Sequence, residues 1–529
     1  MSSFADVIIT NANAFTADAR NPCAEAVAVS GDRIIYVGSN SGVEGMRGSG
    51  TRVLDGGGNT LLPGFIDSHF HLLWGSIELA DAQLQEVKSQ TEIRNVLLAF
   101  AAENKTSAWV VGNGLKYGVI STCQELDAII PDRPVYLEAY DGHTGWANTT
   151  ALELAGILQP GKALGLNSVV VRDESGLASG ELREGAKQVV LDLAPKPNEV
   201  RKRELLKLAM RQINAAGVTS VHNMNGDMEE MLTYAAMEDA GEMTLRVYVP
   251  YWVKPEATEE MLDEAVAIRQ IQGEYARGGA VKFFMDGVWE SYTALNLEPY
   301  ADNPNMKVDG IWSLDDFTRM AAACDKRDLQ IFVHACGDGA VRRTLDGYER
   351  LQRLNGKRDS RHRVEHIEVV HPDDMPRFRQ LGVIASMQLL HSPMSAQDAD
   401  VWLARTGPQR WPASFAWRAL KNAGATLALG SDWTVASFNP LLGLHAALNR
   451  QRWEPGDPDQ RLSLEEALIG YTREAAYAEF QEHQKGQLKE GYLADMVLLS
   501  ENIFKIAPEE LEKVSPLFTM VAGKMVYEA

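Results

Sequence analysis

A chain of 529 residues, 45% hydrophobic and 23% charged, is too long for one simple core and has the make-up of an ordinary globular protein with a large domain and one or two satellites. Its formal charge of -21 excludes the clustered Lys and Arg that nucleic-acid phosphates demand, and fits an acidic, solubilising surface. No stretch has the apolar length of a bilayer span, and the N-terminal residues lack a basic segment followed by an apolar one, so neither a membrane anchor nor a signal peptide is expected.

Residues 6–10, 24–30, 33–37 and 51–54 read as short strands, β-branched or alternating, with Gly and Asn between them. Residues 493–499 and 517–526 return to that style, with Gly523 and Lys524 as a turn. Neither set can bury a core alone, so 1–60 and 485–529 are expected to form one composite β-sandwich. Between them, over 61–484, apolar β runs alternate with amphipathic helical stretches such as 201–216 and 314–324. Strands are predicted at 60–66, 219–222, 244–248, 280–284, 330–333, 363–367, 383–387 and 426–430. Eight such units make an α/β chain of the (β/α)8, or TIM, barrel type, whose active site lies at the C-terminal strand ends. About 150 residues separate the first two strands, far more than a βα connection needs. Segment 74–196, with Trp109, Tyr117, Tyr136, Tyr140, His143 and Trp146, is therefore expected to be an inserted lid or subdomain over the barrel mouth.

The chemistry-bearing residues fall at those strand ends. Residues 63–72 (PGFIDSHFHL) place His69 and His71 two apart after an apolar run, so on a strand both imidazoles face one point, as a metal pair would. Lys282 lies inside the apolar run VKFFMDG, where a buried amine must be paired or neutralised. Either it pairs with Asp286 or another carboxylate, or it adds carbon dioxide and becomes a carbamate able to bridge two cations. His334 ends IFVH, His366 ends RVEH, and Asp432 follows LALGS. An aspartate there can bind metal and take a proton from water, or cap a helix. Cys23, Cys123, Cys324 and Cys336 form no CxxC pair, which suits reduced thiols in a cytoplasmic protein. Cys336, two residues past His334, is read as a buried filler.

In this ordered set the chain resembles the amidohydrolase superfamily, in the branch similar to N-substituted formamide deformylases and imidazolone-type amidohydrolases. The motifs run nearly the whole length: PGFIDSHFHL, DGHTGWANTTAL, AAGVTSVHN, VKFFMDG, VHACGDGAV, HRVEHIE, LGSDW and GQLKEGYLADMVLL. The resemblance implies a metal-dependent hydrolase on a distorted barrel, holding one or two divalent ions, zinc foremost. Carried over, it makes His69 and His71 ligands of the more buried ion, Lys282 a carboxylated bridge, His334 and His366 ligands of a second ion, and Asp432 both ligand and general base. His143 would contact substrate or its oxyanion. Asn223 stands where relatives often have an acidic residue and is not taken as a ligand. By analogy with the family a homodimer is implied.

The expected reaction is hydrolysis of a C–N bond in a small-molecule substrate, an N-substituted amide or formamide, by metal-activated hydroxide. Trp74, Trp289, Tyr292 and Trp433 follow predicted ligands and either line an apolar substrate pocket or pack the barrel rim. Asp286, Gln388 and His391 are further candidate substrate contacts. The alternative is a cyclic amide hydrolase or a deaminase on the same barrel; a deaminase would normally carry a His-x-x-Glu motif, whereas His334 is followed by Ala335, Cys336 and Gly337. A non-catalytic regulator on the scaffold has little reason to retain six metal-competent side chains.

Overall fold

Apolar strands without alternation must be covered on both faces, and here helices cover them. A computed structural model describes residues 4–165, 168–398 and 400–529. Its central sheet has eight parallel strands in chain order: β1 (Phe65–Phe70), β2 (Val218–Asn223), β3 (Arg246–Trp252), β4 (Ala276–Phe284), β5 (Gln330–Ala335), β6 (Arg363–His366), β7 (Ile384–Gln388) and β8 (Leu427–Gly430). All eight expected strands are present, so the distorted barrel is the fold of this chain.

The last strand closes on the first just beyond its end. Asp432 N donates to His69 O at 2.8 Å, His71 N to Trp433 O at 3.1 Å, and Ser431 N to Asp67 Oδ1 at 2.9 Å. Gly430 is required at this seam, because a Cβ there would lie 2.6 Å from His69 N and 2.7 Å from Asp67 Oδ1. The surrounding helices carry apolar stripes facing the strands. Asp338–Asn355, for example, buries Val341, Leu345, Tyr348 and Leu351, and Phe317 of Leu314–Asp325 packs on Tyr348 with ring centroids 5.9 Å apart.

The apolar run 60–66 is two strands, not one. Thr60–Pro63 pairs with Met496–Leu499 in a six-stranded sheet that also holds Asn13–Phe15, Pro516–Val521 and Lys524–Glu528. Gly64 makes the break: a Cβ there would sit 2.3 Å from the Thr219 side chain. A four-stranded sheet of Ala5–Thr10, Ala26–Ser30, Arg33–Gly38 and Arg47–Asp55 completes the satellite. Ile9, Val27, Val29, Leu61, Met496 and Phe518 share its core. Between β1 and β2 the chain builds a separate mixed sheet that includes Val110–Leu115, Val135–Ala139, Thr144–Ala147 and Ala178–Arg183. Its faces are packed by Leu97, Leu126 and Leu137 and by Tyr136, Leu182 and Val190. Among the described residues no helix is long and apolar enough to cross a membrane.

Candidate active site

At the C-terminal strand ends the fold gathers residues from β1, β4, β5, β6 and the turn after β8. His69 Nε2 lies 3.4 Å from Asp432 Oδ1 and 3.3 Å from Lys282 Nζ. His71 Nε2 lies 3.0 Å from Asp432 Oδ1, and His366 Nδ1 is 3.8 Å from Asp432 Oδ2. The His334 ring centroid is 4.3 Å from that of His366. One ligand atom each from His69, His366 and Asp432 falls within 4.8 Å of the others. All six side chains are at least nine-tenths buried.

His366 and Asp432 reach this point only through left-handed backbone, with φ of 71° and 59°. For side-chain-bearing residues that conformation costs of order 1 kcal/mol or more and concentrates at functional sites. The local sequence supplies the turn: β6 stops at His366 and β8 stops at Gly430.

The electrostatics suit a cation. Burial, with Lys282 adding to it, holds His69 well below the ordinary imidazole range; burial and neighbouring imidazoles do the same for His334 and His366. These rings are therefore neutral and offer lone pairs. Burial pulls the Lys282 amine down to about 8, so an appreciable neutral fraction exists near neutral pH. For Asp432, burial works against ionisation, but the hydrogen bond from His71 helps to hold the carboxyl well below its usual range. Among the described residues, both ring nitrogens of His366 and Nδ1 of His71 are buried without a hydrogen-bond partner. Orphaned donors and acceptors of this kind are costly unless something binds them. Neutral imidazole nitrogens converging on a carboxylate make a nitrogen and oxygen donor set that fits zinc or a similar divalent ion.

His143 enters from the inserted sheet, its ring 5.6 Å from that of His334. Its Nδ1 lies 3.1 Å from both oxygens of Glu184. Burial lowers the imidazole, but the Glu184 charge and hydrogen bond prevail and raise it to about 9. Glu184 follows Ala178–Arg183 with φ of 50°, and Thr293 Oγ1 donates to it at 2.8 Å.

The remaining candidates separate clearly. Gln388, at the end of β7, is 1% exposed, and among the described residues neither end of its amide has a partner. His391 Nε2 is 3.8 Å from Asp432 Oδ2, and its ring stacks on His366. Trp74 is 40% exposed beside His71, while Trp433 packs on Phe70. Two candidates for substrate contact are committed elsewhere. Asp286 is fully buried and accepts from Leu295 N, Cys336 N and Gly337 N, tying β4 to the turn after β5. Trp289 is fully buried between Tyr300 and Trp402 and donates to Cys336 O. Tyr292 donates to Asp302 and lies under Arg405. Asn223 accepts from Leu72 N and donates to Glu230, an anchor for the segment after β1. Cys336 is buried in the apolar core, as a filler would be, with its Sγ 3.4 Å from His334 Nε2. Sequence reasoning missed Glu184 and Glu365, whose Oε2 accepts from His69 Nδ1 at 2.7 Å. Glu365 was visible as one of two charges alternating along the strand Arg363–His366; Glu184 had no such signal.

A closed parallel barrel capped by an extra sheet, with a metal-competent cluster at its strand ends, has the architecture of a metal-dependent hydrolase. The chain belongs to the amidohydrolase family, whose model matches residues 52–527, and it is a hydrolase of C–N bonds. It is 32% identical to Protein LONG AFTER FAR-RED 3 of Arabidopsis thaliana, over 99% of this chain and 92% of that protein. It is 28% identical to the N-substituted formamide deformylase of Arthrobacter pascens, over 100% of this chain and 99% of that one. The structure is similar to an uncharacterized metal-dependent hydrolase from Pyrococcus furiosus, with a TM-score of 0.73 and 25% identity, covering 93% of this chain and 98% of that one.

Proposed function

We propose that this protein hydrolyses an N-substituted amide or formamide, with His69, His71, Lys282, His334, His366 and Asp432 holding one or two divalent ions, zinc foremost. In the two-ion form Lys282 would be carboxylated and shared between the ions. The carrying observation is the convergence of His69, His366 and Asp432 on one point, with both ring nitrogens of His366 lacking a partner among the described residues. The full burial of Lys282, which brings its amine down to about 8, supports carbamate formation. When bound, the cation supplies Lewis acidity toward a carbonyl and lowers the pKa of water.

The chain's own groups then divide the work. Asp432 takes the proton of the attacking water and delivers it to the departing amine. His143, kept protonated by Glu184, donates to the carbonyl oxygen as negative charge gathers there. Gln388 presents one donor and one acceptor, matching the C=O and N–H of a secondary amide. His391, Trp74 and Trp433 border the same space, and the aromatic pair favours an apolar group on one side of the amide. Resemblance to the Arthrobacter deformylase supports a formyl or other small acyl group.

The test is hydrolysis of a panel of N-formyl, N-acetyl and cyclic amides by zinc- or manganese-reconstituted protein. Asp432→Asn should lower turnover by ~10²–10⁴-fold while most of the metal, measured by elemental analysis, is retained. Equal loss of metal and turnover would reduce Asp432 to a ligand. Failure on every amide with metal bound would remove the proposed substrate class.

A further inference from the structure

Barrels of this type are normally filled by branched apolar side chains, yet beneath His69 the interior is ionic. Glu365, fully buried, accepts from Arg363 Nε at 2.8 Å and Nη2 at 2.9 Å as well as from His69 Nδ1 at 2.7 Å. Arg363, also fully buried, donates through Nη2 to Ser68 O and to Ser386 Oγ, the latter at 2.8 Å, and stacks 3.9 Å over the Phe332 ring. Its Nη1 reaches His222 Nδ1 at 2.8 Å. A guanidinium has no lone pair, so that nitrogen of His222 must accept and its proton sits on Nε2. His222 Nε2 lies 3.2 Å from Glu479, which pairs with Lys485 at 2.6 Å. The column pairs Arg363 with Glu365 and Lys485 with Glu479, which Arg277 also approaches at 4.0 Å.

A buried ion pair is weak as a source of stability, since apolar filling of the same volume serves as well or better. What ions supply here is a fixed direction for each proton. We infer that Glu365 and Arg363 are positioning residues that hold His69 in the Nδ1–H tautomer, turning the Nε2 lone pair toward Lys282 and Asp432. His222 and Glu479 brace Arg363 from the far side. This rests on His69 being a metal ligand, as proposed above. Orientation of a ligating imidazole by a hydrogen-bonded carboxylate changes metal affinity through the ring's geometry and basicity.

The parent protein, labelled with 15N at histidine and stripped of metal with a chelator, should show His69 protonated at Nδ1, assigned by comparison with His69→Asn. Protonation at Nε2 would overturn the inference without any variant having to fold. Zinc affinity is then read by chelator competition. Glu365→Gln should weaken it by about 10–100-fold, Arg363→Met by part of that, and the double variant by no more than Glu365→Gln alone, because Arg363 acts through Glu365. Additive losses, or folded Glu365→Gln with unchanged affinity, would refute the positioning role. If His69→Ala itself binds zinc like the parent, the ligand assignment fails instead.

Discussion

Gly430→Ala is a one-methyl perturbation at the seam where the barrel closes. The new Cβ would meet His69 N at 2.6 Å and Asp67 Oδ1 at 2.7 Å. Ordinary contact needs about 0.8 Å more on each, because a carbon separated from its neighbour by less than ~3.5 Å is repelled. Neither neighbour is a flexible tip: one is backbone, the other a buried carboxylate that also accepts from His69 N at 3.1 Å. The last strand must therefore move outward by about that distance. The Asp432 N to His69 O and Ser431 N to Asp67 bonds, now 2.8 and 2.9 Å, would then stretch beyond hydrogen-bond range. Losing one backbone hydrogen bond and one hydrogen bond to a carboxylate costs about 1 and about 2 kcal/mol. The reduced freedom of the unfolded chain returns ~0.4–1 kcal/mol. Net destabilisation of about 2–3 kcal/mol is expected, together with displacement of Asp432 from the imidazoles. Chemical denaturation and zinc affinity by chelator competition measure the two effects. Unchanged stability and unchanged affinity would show that the seam relaxes without moving Asp432.

Lys282→Met should abolish amide hydrolysis and sharply reduce bound metal, while the parent incubated with 13C-bicarbonate should give a carbamate resonance that the variant lacks; a parent without that resonance would leave Lys282 as an amine. Because Glu184 raises His143 above its ordinary range to about 9, the protonated form persists to that pH, so activity should fall as pH rises through about 9. Glu184→Gln should move that alkaline limb toward acid by more than one unit, and a limb that stays in place would remove His143 as the donor. The same linkage makes the His143–Glu184 contribution to stability complete below the ordinary imidazole pKa and lost as pH rises through about 9. Arg246→Met leaves buried Asp495, now bound at 2.7 and 3.0 Å, without its cation. A loss of ~3–5 kcal/mol is expected, read by denaturation, and a loss below 1 kcal/mol would mean that Lys485 replaces the partner.

The strand ends of the site were legible because His69, His334 and His366 each close a β run, although the run before His366 carries Arg363 and Glu365 and His71 lies one residue past the strand that ends at Phe70. The break at Gly64 was not, since residues 60–66 are continuously apolar and only Thr219, far away in sequence, requires a residue without a Cβ there. Arg363 and Glu365 could be seen as alternating charges on one face of a strand, but their partner His69 is remote in sequence and no local pattern names it. Asp286 and Trp289 illustrate the opposite failure. Their place beside Lys282 suggested contact with substrate, yet proximity along the chain says nothing about direction, and both turn inward. Glu184 was invisible because its role depends on two inserted strands pairing, Thr144–Ala147 with Ala178–Arg183.

The pairing of Thr60–Pro63 with Met496–Leu499 has a consequence for biogenesis. A ribosome finishes the metal-competent barrel before it releases the second partner of that early strand, so one edge of it, the other being paired with Asn13–Phe15, waits open for most of translation. Truncation just ahead of residue 496 should therefore yield aggregates or chaperone-bound chains rather than a smaller working enzyme.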